Sequence, residues 1–178
     1  YREKVLAIAE DLRRRAPDNL DHAGNLSVAY NRLGDLWKEQ GDLAGAREYY
    51  EKALAIAEEL HRRAPDNLDY ARLLSISYNR LGDLWKEQGD LAGAREYYEQ
   101  ALAIREELHR RAPDYPGFAR DLVVSCYRMA LCSHLQGDEG ESARWLGRCL
   151  ELVQGMEARG MRLDPWLEEL RRRLRGEE

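Results

Sequence analysis

The sequence Asn-Arg-Leu-Gly-Asp-Leu-Trp-Lys-Glu-Gln-Gly-Asp-Leu-Ala-Gly-Ala-Arg-Glu-Tyr-Tyr-Glu runs from Asn31 to Glu51 and returns unchanged from Asn79 to Glu99. The offset is 48 residues, and a fixed period of this order marks an array of stacked units rather than one central core. Laid against residues 49–96, residues 1–48 differ at nine positions (2, 5, 11, 13, 22, 24, 25, 28 and 29), while everything from Tyr30 to Glu48 matches. Function is therefore to be sought on a repeated surface.

Working outward from that block, Leu26, Tyr30, Leu33 and Trp37 fall at i, i+4, i+7 and i+11, which predicts one amphipathic helix with these residues in its core stripe. Gly41 supplies the left-handed residue that ends it, and Asp42 is suited to cap the next helix. Leu43, Ala46, Tyr50, Ala53, Ala57 and Leu60 then predict a second helix over about 43–63, stopped by Pro65, with Asp66 or Asn67 capping the helix that follows. Gly34 and Ala46 are small where the two helices must cross, and the pattern recurs at Gly82 and Ala94, then as Ala130 and Ser142 in a third copy.

Leu33-Gly34, Trp37, Ala46, Tyr50 and Ala53 together resemble the tetratricopeptide repeat signature. The signature returns as Leu81-Gly82, Trp85, Ala94, Tyr98 and Ala101, and in degraded form as Met129-Ala130, Ser133, Ser142, Leu146 and Cys149. The usual unit is about 34 residues; the period of 48 resembles a long variant of this repeat found in bacterial multidomain signalling proteins. The resemblance implies an all-α, right-handed α-solenoid of antiparallel helix pairs. Periodicity of about 3.6 in every segment, with corners rich in Gly, Pro and Asp, predicts eight helices in all, the last a C-terminal capping helix. The expected organisation is a single domain over 1–178: 1–18 as the second helix of a truncated repeat, 19–66 and 67–114 as repeats one and two, 115–160 as a degenerate repeat three, and 161–178 as the cap.

The ends differ from the interior. Tyr1 aligns with Tyr49, in the middle of a helix, so the chain reads as a piece of a longer protein whose first helix leaves Val5, Ile8 and Leu12 partly uncovered and open to self-association. At the other end Gly160 closes a helix, Asp164-Pro165 opens another, and Trp166, Leu167, Leu170 and Leu174 give it an apolar face while Arg171, Arg172, Arg173 and Arg175 solvate the rest. That is the pattern of a capping helix.

A net charge of -5 with 34% charged residues describes a solvated helical surface and lacks the basic stripe needed to neutralise phosphates, so nucleic acid is not an expected partner. No apolar run approaches the roughly 18 residues of a membrane span, and no leader pattern is present. Cys126, Cys132 and Cys149 form an odd set without paired spacing, which fits a reducing, cytoplasmic setting rather than a disulfide framework.

Catalysis needs a unique constellation, and repeats make uniqueness visible. His61 and His109 are copies in an Arg-rich corner expected to face solvent, and neither has a partner at metal-ligand spacing. Cys126, Cys132 and His134 share a helix but not a face, with Cys126 in a core slot. No Gly-rich phosphate loop follows a strand. The chain is read as a non-enzyme with no cofactor and no metal.

What remains is the inner face of the first helices, where the resemblance implies that arrays of this family hold extended peptides or helices of partner proteins. The candidates are Asn31, Asp35 and Lys38 in repeat one and Asn79, Asp83 and Lys86 in repeat two, with Tyr127 breaking the column in repeat three. An Asn ladder can pair with a peptide backbone, and Arg72 and Arg120 add a candidate carboxylate clamp. The same residues could simply keep a helix face wet. The reading is a protein-interaction module of a larger bacterial signalling or regulatory protein; its rivals are a spacer or oligomerisation element for a missing catalytic or sensor domain, and an engineered consensus repeat.

Overall fold

The computed structural model describes residues 2–177, with the side chains of residues 2, 3, 5, 6, 8 and 9 outside the description. The expectations for Tyr1, Val5 and Ile8 fall outside it. Among the described residues there are eight helices and no strand: α1 (Arg2–Arg15), α2 (Leu20–Glu39), α3 (Leu43–Arg63), α4 (Leu68–Glu87), α5 (Leu91–Arg111), α6 (Pro116–Leu135), α7 (Glu139–Ala158) and α8 (Pro165–Arg175). The chain divides into two compact units, residues 1–97 and 98–178, with the boundary inside α5.

In the first unit α2 packs against α1, α3 and α4, and α3 against α4. A helix in contact with both its neighbour and its next-but-one neighbour is what stacked helix pairs require. The corners follow from local chemistry. Gly41 takes φ +81°, a conformation costly for any residue with a Cβ, and the Asp42 carboxylate accepts from the Gly45 amide at 2.8 Å to cap α3. Of the two candidate caps for α4, Asn67 is the one used, its Oδ1 accepting from the amides of Asp69 and Tyr70.

The core of this unit joins Ala46 and Tyr50 of α3 to Leu81 and Leu84 of α4, with Leu43, Leu54, Trp85 and Tyr97 packed around them. Gly34 is part of that packing, because a Cβ there would lie 2.4 Å from the Tyr50 ring. Trp37 departs from its expected core position. It is 36% exposed and stacks on Tyr49 with ring centroids 6.5 Å apart, because the stripe rotates around α2 and places its last member at the rim. At the open edge Leu12 of α1 is 40% exposed, in line with a partly uncovered first helix.

In the second unit α6 packs on α7 and α7 on α8. The interior is built from Phe118, Leu122, Val123, Cys126 and Met129 of α6 with Cys149, Val153 and Met156 of α7, closed by Leu167 and Leu170 of α8. Asp164 caps α8 by accepting from the Leu167 amide at 2.9 Å. Gly160 takes φ +70° at the end of α7, as its place in the sequence requires.

The expectation that His61 and His109 face solvent is corrected. Both rings are half-buried with Nδ1 enclosed and unpartnered. Burial, followed by the nearby Arg159 guanidinium, holds His109 below the ordinary imidazole pKa. The Arg residues around them are the exposed members of the corner, and the rings turn under them.

Candidate functional site

The column Asn31, Asp35 and Lys38 lies on the side of α2 that meets α4. Asn31 is 5% exposed and its Nδ2 donates to Ser77 Oγ at 3.1 Å. Asp35 accepts from the Tyr50 hydroxyl at 2.7 Å and pairs with Arg80 at 3.0 Å, while Lys38 pairs with Glu87 at 2.9 Å. Burial, reinforced by the Asp35 carboxylate, pushes the Tyr50 hydroxyl far above the ordinary tyrosine value, so it remains a donor. These polar contacts set the distance between α2 and α4, and with it the width of the surface the two helices share.

On α4 the equivalent residues continue the pattern. Asn79 is buried with Nδ2 on the Ser75 carbonyl oxygen at 3.0 Å, and Asp83 and Lys86 are half-buried. The Oδ1 atoms of Asn31 and Asn79 are enclosed without a partner. The amides thus sit inside the helix layer, at the floor of the face rather than on its wet rim. A period read from sequence gives a residue's angle around its helix, and the covering neighbour then decides whether that angle is wet or dry.

Closer to the N-terminal ends of the same two helices a groove of about 420 Å³ opens. Its walls are Asp21, Gly24, Asn25 and Val28 of α2 and Asp69, Tyr70, Arg72, Leu73 and Ile76 of α4. The chemistry is graded. Val28, Leu73 and Ile76 give an apolar stretch, and Val28 is among the exposed large hydrophobic residues. Asp21 and Asp69 stand in the first turns, where Asp21 accepts from the Tyr70 hydroxyl at 3.2 Å. Arg72, the one member proposed from sequence, is on the α4 wall.

The remaining lining residues were missed, although the sequence carried a signal for them. Between 19–48 and 67–96 the two copies differ only at 22, 24, 25, 28 and 29. Four of these five positions (22, 24, 25 and 28, as themselves or as Tyr70, Arg72, Leu73 and Ile76) line the groove. Solvent-facing positions such as Glu39, Gln40 and Glu48 are identical to Glu87, Gln88 and Glu96. Within this stretch divergence is thus concentrated on the shared surface of α2 and α4.

In the second unit Arg120 and Tyr127 are engaged by α8. Arg120 pairs with Asp164 and lies over the Trp166 ring at 5.9 Å from its centroid, and Tyr127 meets Trp166 edge-on at 5.7 Å. Cys126, Cys132 and Cys149 are buried free thiols. The hydrogen bond between Cys126 and Cys149 and the burial of both raise the Cys149 thiol far above its ordinary pKa, which removes thiolate character. Among the described residues no group of three or more His, Cys, Asp or Glu side chains is placed to hold a metal ion. No described helix is long and apolar enough to cross a membrane.

Residues 25–107 match the family model described as tetratricopeptide repeat. No curated protein matches the chain. Among solved structures, BtubC (BKLC) from P. vanneervenii is similar at 22% identity and a TM-score of 0.64, over 92% of this chain and 60% of that one. The N-terminal domain of stress-induced protein-1 (STI-1) from C. elegans is similar at 19% identity and a TM-score of 0.53, over 86% of this chain and 97% of that one. At these identities the likeness is one of fold, and it agrees with the stacked helix pairs described above: the chain is all-α and of α-solenoid type.

Proposed function

We propose, for a chain whose residues 25–107 match the tetratricopeptide repeat model, that the groove between α2 and α4 binds a peptide or helix of a partner protein. Such repeats generally mediate protein–protein contacts. The observation that carries the reading here is the concentration of divergence between 19–48 and 67–96 at the groove. Over residues 19–48 the two copies differ at five positions, four of them at the groove, which turns a duplicated face into an asymmetric site. Apolar side chains of the ligand would lie over Val28, Leu73 and Ile76, with Arg72, Asp21 and Asp69 as polar anchors. Asn31, Asp35, Lys38, Asn79, Asp83 and Lys86 lie further along the same two helices and would hold their spacing.

Arg120 and Tyr127 belong to the α6 face, where Asp164 and Trp166 already engage them, which favours the first unit for the primary site. The reading is of binding without catalysis, in a larger bacterial signalling or regulatory protein located in the cytoplasm. With a net charge of -5 a protein ligand is favoured over nucleic acid. Self-association through α1 is proposed alongside, supported by exposed Leu12. Sedimentation over a concentration series, with Leu12→Glu as control, tests it.

The groove is tested by making it symmetric. His22→Tyr, Gly24→Arg, Asn25→Leu and Val28→Ile together give repeat one the side chains of repeat two at the four groove positions. We expect proteins captured by the intact chain to be lost or exchanged while circular dichroism stays unchanged. An identical set of captured partners, at unchanged affinity, would remove the groove from consideration.

A further inference from the structure

The face that α2 and α3 turn toward α4 occurs again in repeat three, between α6 and α7, as a notch of about 220 Å³. Its lining residues Tyr127, Ala130, Leu131, His134, Glu139, Ser142 and Leu146 stand 96 residues, two periods, beyond Asn31, Gly34, Asp35, Lys38, Leu43, Ala46 and Tyr50. In repeat one this face is filled. Ser77 meets Asn31, Arg80 meets Asp35, Leu81 and Leu84 pack with Ala46 and Tyr50, and Glu87 meets Lys38. The occupant there is a single helix, α4, with its contacts at i, i+3, i+4, i+7 and i+10. In repeat three α8 reaches Tyr127 through Trp166, and the notch opens from Tyr127 on to His134 and Glu139.

We propose that this notch is a second docking site, separate from the groove of the first unit, and that its occupant is one amphipathic helix of a partner protein. Repeat one supplies the template for that helix, and the substitutions in repeat three specify how it must differ. Leu131 replaces Asp35 and Leu146 replaces Tyr50, so the acid that holds Arg80 and the hydroxyl that holds the acid are both gone. A cation at the Arg80 register would be buried against leucine, and an apolar residue belongs there instead. At the far end the Lys38 register carries His134 and the Leu43 register carries Glu139, with His134 Nδ1 2.7 Å from Glu139 Oε1. The lysine that holds Glu87 in repeat one is gone and a carboxylate stands in place of Leu43, so the residue at the Glu87 register should be Lys or Arg. The partner helix thus has three apolar positions, equivalent to Arg80, Leu81 and Leu84, followed two turns after the first by a basic one.

The probe is a 20-residue peptide with the sequence of Leu68–Glu87 carrying Arg80→Leu and Glu87→Lys, compared with the unaltered peptide on the full chain. Binding is read from backbone amide resonances of α6 and α7. The altered peptide should bind at least about tenfold more tightly than the unaltered one, the scale of an unpaired charge removed from a buried contact. Leu131→Asp, which restores the acid of repeat one, should shift that ratio by about tenfold toward a peptide that keeps Arg80. Three results overturn the proposal. The first is no shift in α6 and α7 up to about 1 mM altered peptide, or a ratio indifferent to Leu131→Asp. The second is shifts confined to α2 and α3, which would mean the peptide has replaced α4. The third is self-association of the chain abolished by Leu146→Glu with resonances still dispersed, which would make a second copy the occupant.

Discussion

Arg105 Nη1 donates to the Asp121 carbonyl oxygen at 2.7 Å and to Ser125 Oγ at 3.1 Å, with Arg105 and Asp121 only 4% and 8% exposed. In the register of the repeat, Arg105 stands where α3 has Ala57, and Asp121 where α4 has Leu73. A small and a large apolar residue have together become a buried cation and a buried acid. Removing the guanidinium alone takes a buried donor from the Asp121 carbonyl oxygen and Ser125 Oγ and leaves the buried acid beside alanine. Arg105→Ala should therefore cost about 3 kcal/mol, while Arg105→Ala with Asp121→Leu, which rebuilds the repeat-one pair, should recover most of it. Urea denaturation of the two variants decides the matter, and equal losses would mean that the two sites act independently.

Gly34 and Gly147 are both helical glycines with opposite surroundings. A Cβ on Gly34 would lie 2.4 Å from Tyr50 Cε1, and Tyr50 is fully buried with its hydroxyl bonded to Asp35. Gly34→Ala should displace the ring and destabilise the chain by about 1–3 kcal/mol. Nothing lies within 4 Å of a Cβ on Gly147, which is exposed on α7. Gly147→Ala should stabilise by about 0.5–1 kcal/mol through lower unfolded-state entropy. Thermal melts of both variants should thus move in opposite directions.

Tyr30 and Tyr78 hold the same position in successive repeats and donate to Glu10 at 3.0 Å and Glu58 at 3.1 Å. Burial first, and the carboxylate second, push each hydroxyl up to about 12. For an acid raised on folding, the stabilisation is full below the unfolded tyrosine value of about 10 and is lost as pH rises through the folded value. Stability should fall between about pH 10 and about pH 12. Replacing both residues with Phe should flatten that decline, as read by denaturation at fixed high pH alongside the phenolate absorbance. A wild-type chain with no loss of stability across this window would contradict the burial of these hydroxyls.

The corners of the fold were readable because their causes are local. Gly41, Asp42, Pro65 and Asn67 each act within a turn of their own position, and the helix boundaries they imply, such as Leu43–Arg63, are those observed. Burial was less readable. Trp37 came out at the rim, where the stripe turns away from the core, and Asn31 inside, since the helix that covers it is a repeat away in sequence. The groove was hidden for a different reason: attention to what the repeats share points to packing, while the site lies where they differ, at Gly24, Asn25 and Val28. Similarly, nothing near Arg120 in sequence announces Asp164, which lies beyond the intervening α7.

Asp164 serves two partners at once, capping α8 through the Leu167 amide and pairing with Arg120 of α6. Burial works to raise its carboxyl pKa, but the Arg120 guanidinium and the helix amides prevail and hold it below the ordinary aspartate value. A carboxylate depressed on folding contributes stability above its unfolded pKa, and the contribution is lost as pH falls below it, so α8 should loosen first in acid. Arg120→Ala removes a partly exposed ion pair together with the cation over Trp166, and should cost about 0.5–1 kcal/mol. Asp164→Ala removes the cap as well and should cost about 1–2 kcal/mol. Hydrogen exchange at the Leu167 and Leu170 amides is the direct readout. Faster exchange in both variants, ranked in that order and with α2 and α3 unchanged, is the expected result. Unaltered protection of α8 in Arg120→Ala would detach the guanidinium from the cap and leave it available on the α6 face for a ligand.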